Sequence, residues 1–220
     1  IDGLTSTVSK LNFPLLSFEL SVPGDPSTAA FFAAAAVLVP DSELMMNRIL
    51  TNPTRTGFFT ALEKMGAEVE CIRQWEEAGE LMGDLKIFHG PLNAITLTNQ
   101  DIPGLIDELP IIAIIATQAV GKTEVRGAKE LRIKECDRIH AICTNLKKMG
   151  VDIKELDDGF IINGPTKLKG TQIETFHDHR IAMAFTVAGL IADGNVILDY
   201  PECAFISYPE FYDELDNLTI

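Results

Sequence analysis

The chain has 220 residues, 46% of them hydrophobic, enough to bury a substantial core as one large or two small domains. Its 32 acids outnumber 18 Lys and Arg, and a net charge of -14 argues against nucleic acid or an anionic membrane as the main partner. No signal peptide is visible, and the apolar run 29–39 has about half the length that a bilayer span needs.

The chain opens on Ile1 and Ser/Thr-rich sequence, which reads as cut from something longer. Pro23-Gly24-Asp25-Pro26-Ser27-Thr28 then offers an N-cap for an apolar helix over 25–38. A short strand is predicted over 43–49. Asn52-Pro53-Thr54-Arg55-Thr56-Gly57 opens a second helix that runs through Met65 and closes on Gly66. Residues 67–72 alternate like a strand, and 85–88 form another.

The pattern then repeats. An apolar helix is predicted over 106–120, a strand over 123–126 and a helix over 136–149 closed by Gly150. Strands over 151–154 and 159–162 flank the turn Asp157-Asp158-Gly159. The echo is visible in residues: Leu62-Glu63-Lys64-Met65-Gly66-Ala67-Glu68-Val69 against Leu146-Lys147-Lys148-Met149-Gly150-Val151-Asp152-Ile153. A third copy takes 178–192, 195–198 and 208–218, and stops before any strand pair. Such repeats are supersecondary units that bury their faces against one another. A unit short of its strand pair is expected to receive those strands from elsewhere.

Cys71, Cys136, Cys143 and Cys203 show neither metal-ligand spacing nor a CxxC pair, so reduced thiols in a cytosolic protein fit best. Cys136 and Cys143, seven apart, read as one core-facing helix side rather than as nucleophiles.

Two charged segments carry the chemistry. They are Arg132-Ile133-Lys134-Glu135-Cys136-Asp137-Arg138 and His177-Asp178-His179-Arg180-Ile181-Ala182-Met183. Each sets a guanidinium beside acids where a helix begins. Six of the 18 basic residues fall within the 17 positions from Lys122 to Arg138. Lys122 and Lys129 in that run read as a solvated face. A fixed guanidinium fork binds carboxylate or phosphate oxygens bidentately, and a carboxylate held beside it can move a proton. The pair reads as an enzyme site for a small, multiply charged anion.

The stretches Val22-Pro23-Gly24-Asp25, Asn52 to Gly57, Asp107-Glu108-Leu109-Pro110, Arg132 to Arg138, Asp178 to Met183 and Tyr208-Pro209 occur in the order seen in one family. Over residues 20–218 the chain resembles the C-terminal half of the 5-enolpyruvylshikimate-3-phosphate synthases. The resemblance implies an α/β (α+β) fold of repeated βαβαββ units around a pseudo-threefold axis. That is one lobe of the two-lobed enolpyruvyl transferase fold, with the active site between lobes. Residues 1–20 would be the end of the first lobe and the crossover, and 21–220 three units with the third incomplete. In the family, the extreme N-terminal segment completes that last unit.

The implied reaction transfers the enolpyruvyl group of phosphoenolpyruvate to the 5-hydroxyl of shikimate 3-phosphate and releases phosphate, with no cofactor and no metal. By resemblance, Asp107 matches the acid proposed to deprotonate the 5-hydroxyl, and Glu135 the proton donor to the phosphoenolpyruvate methylene. Lys134 matches a substrate-reaching lysine, and Arg138 and Arg180 the arginines that grip phosphoenolpyruvate. The other reading of those arginines is an ion pair with Asp137 or Asp178. His179 matches the histidine beside the second arginine, in a ligand-contacting or a structural role. Asp25 and Arg55 are expected to cap and tether helices. One position departs from the pattern: where many members carry a lysine contacting phosphoenolpyruvate, this chain has Ile206.

The remaining binding groups of the family lie in the first lobe, so the partner implied is a first-lobe half and the chain alone is expected to be inactive. Rival readings are a UDP-N-acetylglucosamine enolpyruvyl transferase, which has a different arginine motif, and a non-catalytic isolated lobe. An RNA 3'-phosphate cyclase-like protein would present a basic surface.

Overall fold

The computed structural model of the protein describes residues 3, 5–14, 17, 19 and 21–218. The expected crossover over 1–20 therefore falls in part outside the described residues.

Helix α1 (Pro26–Leu38) begins where Asp25 accepts the Thr28 amide at 3.0 Å, and Pro26 occupies the first turn where its missing N–H is harmless. It leads to strand β1 (Glu43–Leu50), helix α2 (Gly57–Lys64) and the hairpin β2 (Val69–Glu77) and β3 (Glu80–Phe88). The second unit is β4 (Thr96–Leu97), α3 (Leu109–Ala116), β5 (Gly121–Val125), α4 (Arg138–Lys148), β6 (Asp152–Leu156) and β7 (Gly159–Gly164). The third is β8 (Gln172–Ile173), α5 (His179–Gly189), β9 (Ile197–Leu198) and α6 (Phe211–Leu218).

The second unit is a complete βαβαββ, with sheet order β4-β5-β7-β6 and β4 parallel to β5. The first has order β1-β3-β2, and a parallel bridge from Gly24 to Ile49 stands where its leading strand belongs. In the third, β8 pairs parallel with β9. The leading strand of each unit is too short to leave an alternation, so the sequence shows only the helices and the later strands.

α1, α3 and α5 pack pairwise against one another and form the centre of the lobe. Every residue of α3 is buried, as an apolar helix without a polar face requires. α2, α4 and α6 are amphipathic, each with buried apolar residues on one side. No helix among the described residues is long and apolar enough to cross a membrane.

Three boundaries differ from the sequence expectation, each for a local reason. α2 starts at Gly57, because Pro53 disfavours helical backbone at Asn52 and the Asn52 side chain instead accepts the Thr54 amide at 3.0 Å. The segment 106–120 is helical only over α3 with a 3-10 turn before it, and the Thr117 hydroxyl donates back to the Ile114 carbonyl at its end. The β2–β3 hairpin is longer than predicted and turns at Ala78 and Gly79, with φ of 53° and 82°. At the other hairpin, a Cβ on Gly159 would collide with the Val125 carbonyl, so only glycine lets β7 close on β5.

Candidate active site

The starts of three helices meet at one end of the central bundle. Before α3, a 3-10 turn over Ile106–Glu108 leaves Asp107 half-exposed and buries Glu108. Before α4, Asp137 caps by accepting the His140 amide at 3.0 Å, which makes Arg138 the first helical residue. Before α5, Phe176 and His177 both take left-handed backbone, φ 54° and 56°. Such strain at non-glycine residues is characteristic of functional turns. The turn delivers Asp178 to the N-cap, where it accepts the amides of Arg180 (2.8 Å) and Ile181 (3.3 Å).

Arg138 is the hub. Its side chain is 1% exposed and meets three carboxylates: Nε to Asp178 Oδ2 at 2.7 Å, Nη1 to Asp107 Oδ1 at 3.0 Å and Nη2 to Glu135 Oε2 at 2.6 Å. A buried guanidinium is tolerated only when so paired. Burial opposes its charge, but Asp178, Glu135 and Asp107 outweigh burial and raise its pKa further.

Around Asp107 two more cations gather. Lys134 Nζ lies 3.6 Å from Asp107 Oδ1 and 3.4 Å from Glu130. Arg180 donates through Nη1 to the Asp107 carbonyl at 3.1 Å and places Nη2 3.9 Å from Asp107 Oδ2. Burial pushes the Asp107 carboxyl up, but Arg180, Lys134 and Arg138 together hold it below the usual aspartate value. It is an ionised acceptor ringed by cations. His179 is half-buried, and desolvation lowers its pKa more than Asp178 raises it, so its imidazole is neutral at neutral pH. Among the described residues no group of three or more His, Cys, Asp and Glu has the arrangement to hold a metal.

All six residues singled out from the sequence, Asp107, Lys134, Glu135, Arg138, His179 and Arg180, lie at these three helix starts. Five of them join one ion-pair network. The two arginines divide: Arg138 does pair with Asp178, whereas the Arg180 side chain turns to Asp107 and Glu108, and Asp137 takes Arg132 instead, at 2.7 Å. Arg132 belongs to the scaffold. It ties the loop to the β6–β7 hairpin through Glu155 and the carbonyls of Leu156 and Asp157. Arg55 tethers Asp25 at 3.1 Å, as expected. Cys143 is buried, while Cys136 precedes α4, half-buried against Asp178 at 3.5 Å. Ile206 is 74% exposed.

Two supports are not evident in the sequence. Asn145 is buried in α4 and pairs twice with Glu174 backbone, Nδ2 to the carbonyl at 2.8 Å and Oδ1 from the amide at 3.1 Å. Asp199 accepts the Thr175 amide at 2.9 Å and hydroxyl at 2.8 Å. Together they clamp the strained turn that carries Asp178, His179 and Arg180. An Asn on the apolar face of a helix was the available signal for the first.

A sequence model of EPSP synthase (3-phosphoshikimate 1-carboxyvinyltransferase) matches residues 7–215. The chain belongs to the EPSP synthase family. It is 47% identical over 205 residues to the 3-phosphoshikimate 1-carboxyvinyltransferase of Persephonella marina, covering 93% of this chain and 48% of that protein. The enzyme of that name from Aquifex aeolicus is 48% identical over 198 residues, 90% of this chain and 46% of the relative. An EPSP synthase structure from Acinetobacter baumannii superposes with a TM-score of 0.86 at 36% identity, covering 90% of this chain and 46% of the other. The enolpyruvyl transferase NikO from Streptomyces tendae shares the fold, with a TM-score of 0.71 at 20% identity over 90% of this chain and 44% of its own. The chain thus spans about half the length of the EPSP synthases it matches.

Proposed function

We propose that this chain forms the C-terminal wall of an enolpyruvyl transfer site, which moves the enolpyruvyl group of phosphoenolpyruvate to the 5-hydroxyl of shikimate 3-phosphate. The observation that carries the reading is Asp107 held ionised by Arg180, Lys134 and Arg138 at the meeting point of helix starts, within a chain of this family.

Asp107 takes the proton of the attacking 5-hydroxyl, whose oxygen bonds to C2 of phosphoenolpyruvate. Glu135, with a 48% exposed side chain, takes up a proton from solvent as it leaves Arg138 and gives it to the methylene carbon. Glu135, again a carboxylate, takes a proton back from the resulting methyl group as the C2–O bond to phosphate breaks, which restores the double bond and releases phosphate. Arg180 and Lys134 supply cationic contacts to the substrate anions, with helix N-termini behind them. Arg138 is saturated by three carboxylates, so it grips phosphoenolpyruvate only as Asp107 and Glu135 turn toward their reacting atoms. His179, neutral, serves as a hydrogen-bonding neighbour of Arg180. The partner is a first-lobe half that closes the cleft, and reduced cysteines favour a cytosolic setting.

The test is phosphate release from shikimate 3-phosphate and phosphoenolpyruvate, by this chain alone and with a matching first-lobe fragment. Activity is expected only in the mixture. Turnover by the chain alone, or a folded, associated mixture without turnover, overturns the reading.

A further inference from the structure

Glu108 is a buried acid to which the reaction above assigns no role. It holds the N-cap position of α3 yet makes no side-chain bond to that helix. Its carboxylate instead points across the bundle. Oε1 lies 3.5 Å from Arg180 Nη1 of α5, and Ser27 in the first turn of α1 faces the same carboxylate. The side chain is 7% exposed. The starts of α1, α3 and α5 therefore meet on one carboxylate, where three positive helix ends favour a negative charge.

Arg180 Nη1 is thereby occupied twice, by Glu108 and by the Asp107 carbonyl. Two acceptors on one nitrogen fix the plane of the guanidinium and leave Nη2 on the Asp107 carboxylate side, 3.9 Å away. We propose that Glu108 is a positioning residue that sets the Arg180 guanidinium for the incoming phosphoenolpyruvate anion. The inference rests on the function proposed above. The groups facing Glu108 are Arg180 from α5, Arg55 from the loop before α2, Ser27 from α1 and Asp107 beside it. Burial raises its pKa, and the neighbouring Asp107 adds to the rise, against the pull of Ser27, Arg180 and Arg55. As pH falls, Glu108 takes up a proton before an ordinary glutamate does and releases Arg180.

The experiment compares wild type with Glu108→Gln in the two-lobe enzyme assembled from this chain and a first-lobe fragment. Glutamine keeps the shape and an acceptor oxygen but loses the charge. The expected result is a KM for phosphoenolpyruvate raised roughly ten-fold, the size of one charge-assisted bond, with kcat little changed. Wild-type kcat/KM should show an acid limb from Glu108 that the variant lacks. Unchanged KM and an unchanged pH profile overturn the proposal, as does a loss confined to kcat. If Glu108→Gln fails to fold, Glu108→Asp makes the comparison, since it keeps the charge one methylene short of Arg180. If the wild-type mixture itself is inactive, the functional reading fails separately, and NMR of the chain decides the rest. Slow rotation of the Arg180 Nη groups that speeds up in Glu108→Gln upholds the positioning role, and identical rotation in both overturns it.

Discussion

Arg138 donates through Nε to Asp178 across 2.7 Å, and the two side chains are 1% and 0% exposed. The contact joins the start of α4 to the start of α5, so one ion pair fixes the distance between the two segments that carry the site. Its electrostatics are one-sided: neither charge has water to fall back on.

Removing one partner should therefore be severe. Arg138→Met fills similar volume but strands Asp178 as a buried charge, with an expected loss of about 3–5 kcal/mol. Asp178→Asn retains an N-cap, since Asn caps about as well as Asp, and isolates the ion pair. In urea unfolding the double variant should be more stable than the sum of the single losses predicts, by a coupling of about 1–3 kcal/mol. Additive losses would mean that the pair is not the unit described here.

How far this was legible follows from the same residues. Arg138 and Asp178 stood out because each begins a helix within a charged segment, and the Leu-x-x-Met-Gly echo placed the helix that Arg138 begins as the counterpart of α2. The Arg138–Asp178 pair is one of the readings the sequence leaves open, but the enclosure of Arg138 by Asp107 as well was not legible, because that contact spans 31 residues and depends on bundle geometry. The extended β2–β3 hairpin escaped for the opposite reason. Beyond residue 72, β2 is largely exposed and charged, so it lacks the alternation that marks a half-buried strand, and its order comes from neighbours such as Arg73 over the Trp75 ring at 4.4 Å. Arg132 was read with the site because sequence adjacency does not record that its side chain runs to the β6–β7 hairpin.

Acid stability should show two opposite signs. Asp107 has a depressed folded pKa, so its contribution is fully present above the unfolded value and is lost as pH falls through the folded one. Glu108 has a raised folded pKa, so its buried charge destabilises at neutral pH and the cost is relieved as pH drops through that value. Asp107→Asn should melt below wild type at neutral pH, with the gap closing below roughly pH 4. Glu108→Gln should melt at or above wild type at neutral pH, with its advantage gone in acid. Solvent screening at the 37% exposed Asp107 side chain makes its effect small, so the sign is what melting curves from pH 3 to 8 check.

Thiol chemistry should separate the four cysteines. Cys71 is exposed on β2, whereas burial and Asp178 push Cys136 to about 12, and burial pushes Cys143 to about 12 as well. Since the thiolate is the reactive form, iodoacetamide near pH 8 should modify Cys71 first and leave Cys136, Cys143 and Cys203 largely untouched. Mass spectrometry of timed samples reads this directly. Asp178→Asn should accelerate Cys136 specifically, by removing the negative charge 3.5 Å from its sulfur. Equal rates at Cys136 in both proteins would contradict the close approach.

Ile206 offers a gain-of-function test. It is 74% exposed on the 3-10 turn Pro201–Ile206, which packs on α5, so a change of side chain there perturbs little of the core. An exposed isoleucine contributes no charge to a site proposed to take anions. Ile206→Lys should leave the melting temperature within about 2 °C, as surface substitutions do. In the two-lobe assembly it should lower the KM for phosphoenolpyruvate roughly ten-fold, the worth of one charge-assisted contact, and steepen its dependence on salt. An unchanged KM would mean that position 206 stands clear of the bound anion and that Lys134 and Arg180 carry its charge contacts, so that Lys134→Met should then raise KM.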